Sequence, residues 1–282
     1  MAPVLLVLLA VSACTSEQPS PPPPSAPPPS ATASATPSAS ASATAAPIRS
    51  AGLAQRCGAP DVPSTLHRIR STDGVTLSAA SIGTGPRAVL LLHQSDGDAC
   101  GWWSFGGPWL AAQGYRVLIV ELRCFGESTC PGSQQIGERL ADVRAAASWL
   151  RATGARTVSV VGVSMGGTIA AAAGADPRVA ANAVVDVSGE LTSTPVQASP
   201  PLSARDAVPR LRARLLYLTA AQDLGVDHTA DLTLLARAPA GQVTTTVVPD
   251  SGDHGWALLT TDGDTPSRWA RDLAAFLRTA PA

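Results

Sequence analysis

Residues 157–174 read TVSVVGVSMGGTIAAAAG. Thr157 to Gly162 is almost wholly apolar, as a strand covered on both faces has to be. Met165 to Gly174 is a run of small residues that suits a helix and is closed by glycine. Between them, Gly162-Val163-Ser164-Met165-Gly166 fits G-x-S-x-G, in the strand, turn and helix setting that the pattern requires. Such a turn lifts Ser164 Oγ above the sheet edge. It also strains the serine backbone, which is tolerable because the neighbours are glycines. The helix that follows aims its unpaired N–H groups and partial positive charge at the same place. Ser164 is the candidate nucleophile. The alternative is a structural serine in a glycine-rich turn.

The same alternation extends in both directions. Leu66–Ser71 and Val75–Ile82 flank Thr72-Asp73-Gly74 and read as a hairpin. Ala88–Leu92, Tyr115–Val120, Ala181–Val187, Arg214–Thr219 and Gln242–Val248 read as further strands. Trp103–Gln113, Ile136–Ala152, Val226–Ala238 and Trp269–Leu277 read as helices, with Ile136, Leu140, Val143, Ala147 and Leu150 on one face of the second. Repeated strand and helix units of this length predict an α/β fold with a mostly parallel, doubly covered sheet. Ligands of such sheets bind beyond the carboxyl ends of the strands. Residues 188–209 are polar and proline-rich, leaving room only for a small cap.

The chain here resembles the α/β-hydrolase family, including its serine hydrolases and dienelactone hydrolases, over about Leu66 to Leu277. Besides the serine motif, the resemblance rests on Glu121-Leu122-Arg123-Cys124-Phe125-Gly126-Glu127-Ser128, where relatives often carry D-x-R-G-x-G-x-S. Glu121 replaces the Asp and Cys124 the first Gly, in a loop that is structural in the family. The resemblance implies a chain order of Ser, acid, His. His254 stands between the last strand and the last helix, where the family has its base. Asp223 follows the strand ending near Thr219, where the acid is common. Asp186, at the end of the preceding strand, is the rival acid, and Asp227 a weaker one. Asp253 reads as a loop cap. His67 comes too early and His228 falls on a helix surface. One oxyanion donor is expected to be the Met165 backbone N–H. The other comes from His93-Gln94-Ser95, with Ser95 the donor by position and Gln94 next, while His93 fixes the loop. Trp102, Trp103 and Trp256 either line an acyl pocket or pack loops on the core.

The resemblance implies a serine esterase working through an acyl-Ser164 intermediate on a small acyl ester, with no cofactor and no metal. A thioesterase, a peptidase or a non-catalytic binding protein on the same scaffold are the alternatives. Net charge is −1 and all 20 basic residues are Arg. No basic stripe is visible along the chain, so nothing points to nucleic acid.

The first 47 residues are of a different kind. Val4 to Val11 is apolar but too short to cross a bilayer, and residues 1–13 read as a signal peptide. Val11-Ser12-Ala13-Cys14 resembles a bacterial lipobox, in which Cys14 is lipidated. No Arg or Lys precedes the apolar run. Residues 14–47 are a Pro/Ser/Ala/Thr-rich tether, with too little apolar surface to fold, and 48–282 form the hydrolase domain. These features predict a lipid-anchored protein on the outer face of the cytoplasmic membrane, with secretion as the alternative. Export favours disulfides. With Cys14 acylated, Cys57, Cys100, Cys124 and Cys130 remain, and at least one bridge is expected among the last three.

Overall fold

The computed structural model describes residues 53–59, 61–103, 106–130, 136–192, 204–262 and 265–280, all within a unit running from Ile48 to Ala282. The signal segment, Cys14 and the tether lie outside the described residues. In chain order the helices are α1 (Leu53–Arg56), α2 (Cys100–Trp103), α3 (Gly106–Ala112), α4 (Ile136–Ala152), α5 (Met165–Ala173), α6 (Ala204–Ala207), α7 (His228–Leu235), α8 (Trp256–Leu259) and α9 (Arg268–Arg278). The main strands are β1 (Thr65–Arg70), β2 (Thr76–Ile82), β3 (Arg87–Leu92), β4 (Arg116–Val120), β5 (Thr157–Val163), β6 (Ala183–Val187), β7 (Arg214–Ala220) and β8 (Val243–Val248).

The eight strands form one sheet in the order β1-β2-β4-β3-β5-β6-β7-β8. The β1–β2 and β2–β4 pairs are antiparallel and all the others parallel. Side chains alternate across this sheet, so the apolar strands feed two cores. Leu90, Leu92, Val158 and Val160 pack with Leu140, Val143, Ala147 and Leu150 of α4 and with Ile169 of α5. Val89, Leu91, Val161 and Val163 pack with Leu110, Leu273, Ala274 and Leu277 on the other face. The α4 face expected from the sequence is therefore the buried one, apart from Ile136, whose side chain is outside the described set. Every residue of β5 and β6 is buried, whereas the edge strand β8 leaves Thr244 and Thr245 exposed.

Within the span read as one helix, Trp103–Gln113, the described residues are helical at Trp103, the last residue of α2, and over α3, while residues 104 and 105 lie outside the described residues. The α7 helix starts at His228 rather than Val226, because Asp227 caps it by accepting the Ala230 N–H at 3.0 Å. Trp102 and Trp103 are 1% and 0% exposed and belong to the core.

The segment after β4 is held by charge. Arg123, 1% exposed, grips Asp142 through two nitrogens at 2.7 and 3.0 Å and reaches Asp73 at 2.7 Å. Buried Glu121 is paired with Arg56 and accepts the Glu127 N–H at 2.9 Å. Cys124, standing where relatives carry glycine, has φ 68°, a conformation costly for a side chain bearing a Cβ. Its sulfur is bonded to Cys130, and Cys57 is bonded to Cys100. The expected bridge among the last three cysteines is thus Cys124–Cys130. The Cys57–Cys100 bond closes the longer loop, with a sequence separation of 43. Chain entropy then assigns it about 4 kcal/mol of stability, against about 2 kcal/mol for the short loop. The double variant Cys57→Ser/Cys100→Ser should lose about that much in urea unfolding. An unchanged midpoint would mean that the cross-link does not form.

Candidate active site

At the end of β5 the chain reverses into α5 with almost no connection, and backbone crowding dictates its composition. A Cβ on Gly162 would overlap the Gly166 carbonyl, one on Gly166 would lie 2.5 Å from the Leu92 carbonyl oxygen, and one on Gly167 would strike the Asp186 carboxyl. Ser164 sits at the apex with φ 51° and ψ −120°, a region that costs a non-glycine residue roughly 1–3 kcal/mol. The fold enforces it: the Ser164 N–H donates to the Val187 carbonyl at 2.8 Å, and its carbonyl accepts the Thr168 N–H at 3.1 Å. The Met165 N–H, one residue on, lies in the first turn of α5, where no helical carbonyl is available to it.

Asp223 leaves the end of β7 and is buried, with a side chain 2% exposed, while His254 in the loop after β8 is 35% exposed. The His254 Nδ1 lies 2.8 and 3.0 Å from the two carboxylate oxygens of Asp223. A carboxylate only accepts, so Nδ1 carries the proton and Nε2 is left as the acceptor on the ring's other side. Asp223 is itself oriented by the Gly225 N–H, at 2.8 Å from Oδ1. The residue after His254 fixes the turn. Gly255 has φ 58° and ψ −120°, and a Cβ there would lie 2.5 Å from Gln94 Oε1 and 3.8 Å from the Val163 Cβ. The imidazole-bearing loop therefore packs on the strand end that carries Ser164. Ser164 Oγ is without a hydrogen bond among the described residues, so the Asp223–His254 pair is formed and the contact from serine to imidazole is not. Such contacts are commonly loose until substrate binds.

The rival acids have other partners. Asp186 is wholly buried, its Oδ1 accepting the Gly189 N–H at 2.7 Å and its Oδ2 unpaired among the described residues. Burial, reinforced by the charge of Asp231, pushes its carboxyl well above the usual range, against the pull of the Gly189 N–H. Asp227 is the α7 cap, and Asp253 accepts from Ser251 Oγ at 2.9 Å. His67 meets Ser81 Oγ at 2.8 Å on β1, and His228 opens α7.

In the loop after β3, His93 is fully buried and held down to about 4 by that burial. Its Nδ1 lies 2.8 Å from the Gln94 carbonyl and its Nε2 3.2 Å from the Leu122 N–H. Those partners require a neutral ring protonated on Nδ1, which ties the loop to the segment after β4. The Gln94 side chain donates to Asp96 Oδ1 at 2.5 Å, while its buried Oε1 is unpaired beside Gly255. Ser95 is exposed in a turn. Trp256 lies under this loop, against Gly97 and Gly101, with its ring edge-to-face on Trp102 at 6.2 Å. Two contributions were not legible in the sequence, the positive φ at Gly255 and the use of Gly97 and Gly101 as a seat for Trp256. A glycine directly after the histidine was the one available hint.

The family model for the alpha/beta hydrolase fold matches residues 87–244, more than half of the chain. The protein belongs to the α/β-hydrolase family. Among solved structures, this α/β hydrolase is similar to an esterase from Pyrococcus furiosus, with a TM-score of 0.67 at 17% identity over 81% of this chain and 96% of the other. It is similar also to a protein described as a dienelactone hydrolase from Klebsiella pneumoniae, with a TM-score of 0.60 at 19% identity over 77% and 98%. At such identities the likeness concerns the fold. A shorter match, 41% identical over 69 residues, links it to epoxide hydrolase 2 of Siraitia grosvenorii, covering 24% of this chain and 21% of that protein. The match thus spans about a fifth of that relative's length.

Proposed function

We propose that the protein is a serine esterase that cleaves a small acyl ester through an acyl-Ser164 intermediate. The observation that carries this reading is the double approach of Asp223 to His254 Nδ1, at 2.8 and 3.0 Å, on a loop packed against the Ser164 strand end. In the proposed cycle His254 Nε2 takes the proton from Ser164 Oγ as that oxygen attacks the acyl carbon. Asp223 holds the tautomer and stabilises the imidazolium. The oxyanion is received by the Met165 N–H and by a second N–H from the Gln94–Ser95 turn. The imidazolium protonates the departing alcohol, and water then repeats the sequence on the acyl-serine. The esterase among the structural neighbours supports esters over other acyl bonds. A fluorophosphonate probe is expected to label the wild type and to leave Ser164→Ala unlabelled. In a p-nitrophenyl ester series, acetate and butyrate should be turned over faster than long acyl chains, as the short 188–209 segment suits an open site. Labelling of Ser164→Ala would refute the assignment.

The same proposal includes an address, with Cys14 lipidated and residues 14–47 spacing the domain from the outer face of the cytoplasmic membrane. The two disulfides support an oxidising compartment. Among the described residues no helix is long and apolar enough to cross a membrane.

A further inference from the structure

The sequence carries no basic stripe, yet the fold assembles one. Beside α4 lies a groove of about 440 Å³ whose rim is Arg68, Arg70, Arg144 and Arg178, with Trp149 and three alanines of α4 between them. A second groove of about 340 Å³ adjoins it, sharing Arg144 and Arg178 and adding Arg210 and Arg212. Six arginines from four separate stretches of chain thus face one continuous surface, and Asp176 is the one carboxylate lining it. Asp176 is engaged by Arg144 at 2.7 Å and lies 3.8 Å from Arg178, which remains 69% exposed. Arg68 pairs with Glu127 at the margin. Arg70 and Arg212 are exposed, and among the described residues neither has a carboxylate partner. A protein of net charge −1 therefore carries a strongly positive face. The second groove lies where the chain enters β6 and β7, at the sheet edge opposite Ser164, Asp223 and His254.

We propose that this arginine face docks the domain onto an anionic phospholipid surface. Charge complementarity supports the assignment, because an array of guanidinium groups matches a plane of phosphates better than it matches one small anion. Half-buried Trp149, whose ring lies tilted against His67 with centroids 4.3 Å apart, adds the amphipathic ring that favours a membrane interface. The surface runs along the flank of the sheet, from Arg68 and Arg70 at the edge that carries Ser164 to Arg210 and Arg212 at the opposite edge. The choice of a membrane as the anionic surface rests on the proposed anchoring through Cys14. The electrostatic property itself does not depend on it.

The test uses the full-length chain carrying Cys14→Ala, so that no acyl group contributes. Co-sedimentation is measured with neutral phosphatidylcholine vesicles and with mixed vesicles about one third phosphatidylglycerol. Binding is expected to the mixed vesicles alone, and to fall as salt rises from about 0.1 to about 0.5 M. Each arginine near an anionic surface is worth about fivefold in partitioning, so Arg70→Glu/Arg212→Glu should weaken binding at least about 30-fold while leaving hydrolysis of a soluble ester unchanged. Equal binding to neutral vesicles, or undiminished binding by the double variant, overturns the proposal. So does binding to a soluble polyphosphate without binding to vesicles. Radiolabelled fatty acid incorporation at Cys14, measured separately in cells, reports on the anchor and leaves this result untouched.

Discussion

Ser164→Ala is expected to lower kcat/KM for p-nitrophenyl butyrate by about 10⁴- to 10⁶-fold. Alanine removes Oγ and nothing else, so the residual rate measures what polarisation of the carbonyl achieves without a covalent step. A factor of 10⁵ corresponds to about 7 kcal/mol of lost transition-state stabilisation. The fold should survive, because the three glycines around the turn and the Ser164 N–H bond to Val187 are unchanged. Alanine also stays at φ 51°, so stability should move little. Ser164→Gly is the more informative partner. It removes the same oxygen but also the Cβ that resists this conformation, and should raise stability by about 1 kcal/mol in urea unfolding. Activity lost together with stability gained marks a residue held under strain for its chemistry. If Ser164→Ala keeps more than a tenth of the wild-type rate, some other group is the nucleophile.

That serine was legible because everything it needs is local. An apolar strand, three tight glycine contacts and a helix start fall within 157–174, and the crowding at Gly162, Gly166 and Gly167 follows from chain geometry. The sheet was legible for a related reason: doubly covered strands must be continuously apolar, and the edge strands β1 and β8, with exposed Arg68 and Arg70 and exposed Thr244 and Thr245, weaken the signal. What depended on distant partners was less visible. Trp102 and Trp103, which read equally well as pocket lining, go to the core, with the Trp102 indole N–H on the Leu92 carbonyl at 2.8 Å. The arginine face escaped notice because Arg68, Arg144, Arg178 and Arg212 are neighbours in space and not along the chain. Chain order left the choice between Asp223 and Asp186 to resemblance, since Asp186 lies near the end of β6 and Asp223 follows the end of neighbouring β7, at the same edge of the sheet.

Asp223→Asn should therefore cost about 10⁴-fold in kcat, and Asp186→Asn no more than about threefold. Both substitutions keep shape and replace a titrating carboxyl by an amide, so the contrast isolates what each carboxyl does. At 223 the amide faces His254 Nδ1, and its NH₂ group favours the tautomer with the proton on Nε2, leaving no lone pair to accept from Ser164. At 186 no imidazole is in contact, and the carboxyl is already driven toward its neutral form by burial. Its consequence is for stability. A carboxyl whose folded pKa exceeds its ordinary value of 3.8 binds protons more tightly in the folded state. Stability is then lost as pH rises from that value through the folded pKa, and is fully present below it. Asp186→Asn abolishes this titration. The variant should match the wild type near pH 4 and exceed it at neutral pH, with a flatter urea midpoint against pH between them. Should Asp186→Asn instead silence the enzyme while Asp223→Asn spares it, the acid that His254 uses in turnover is the one the resting geometry does not pair with it.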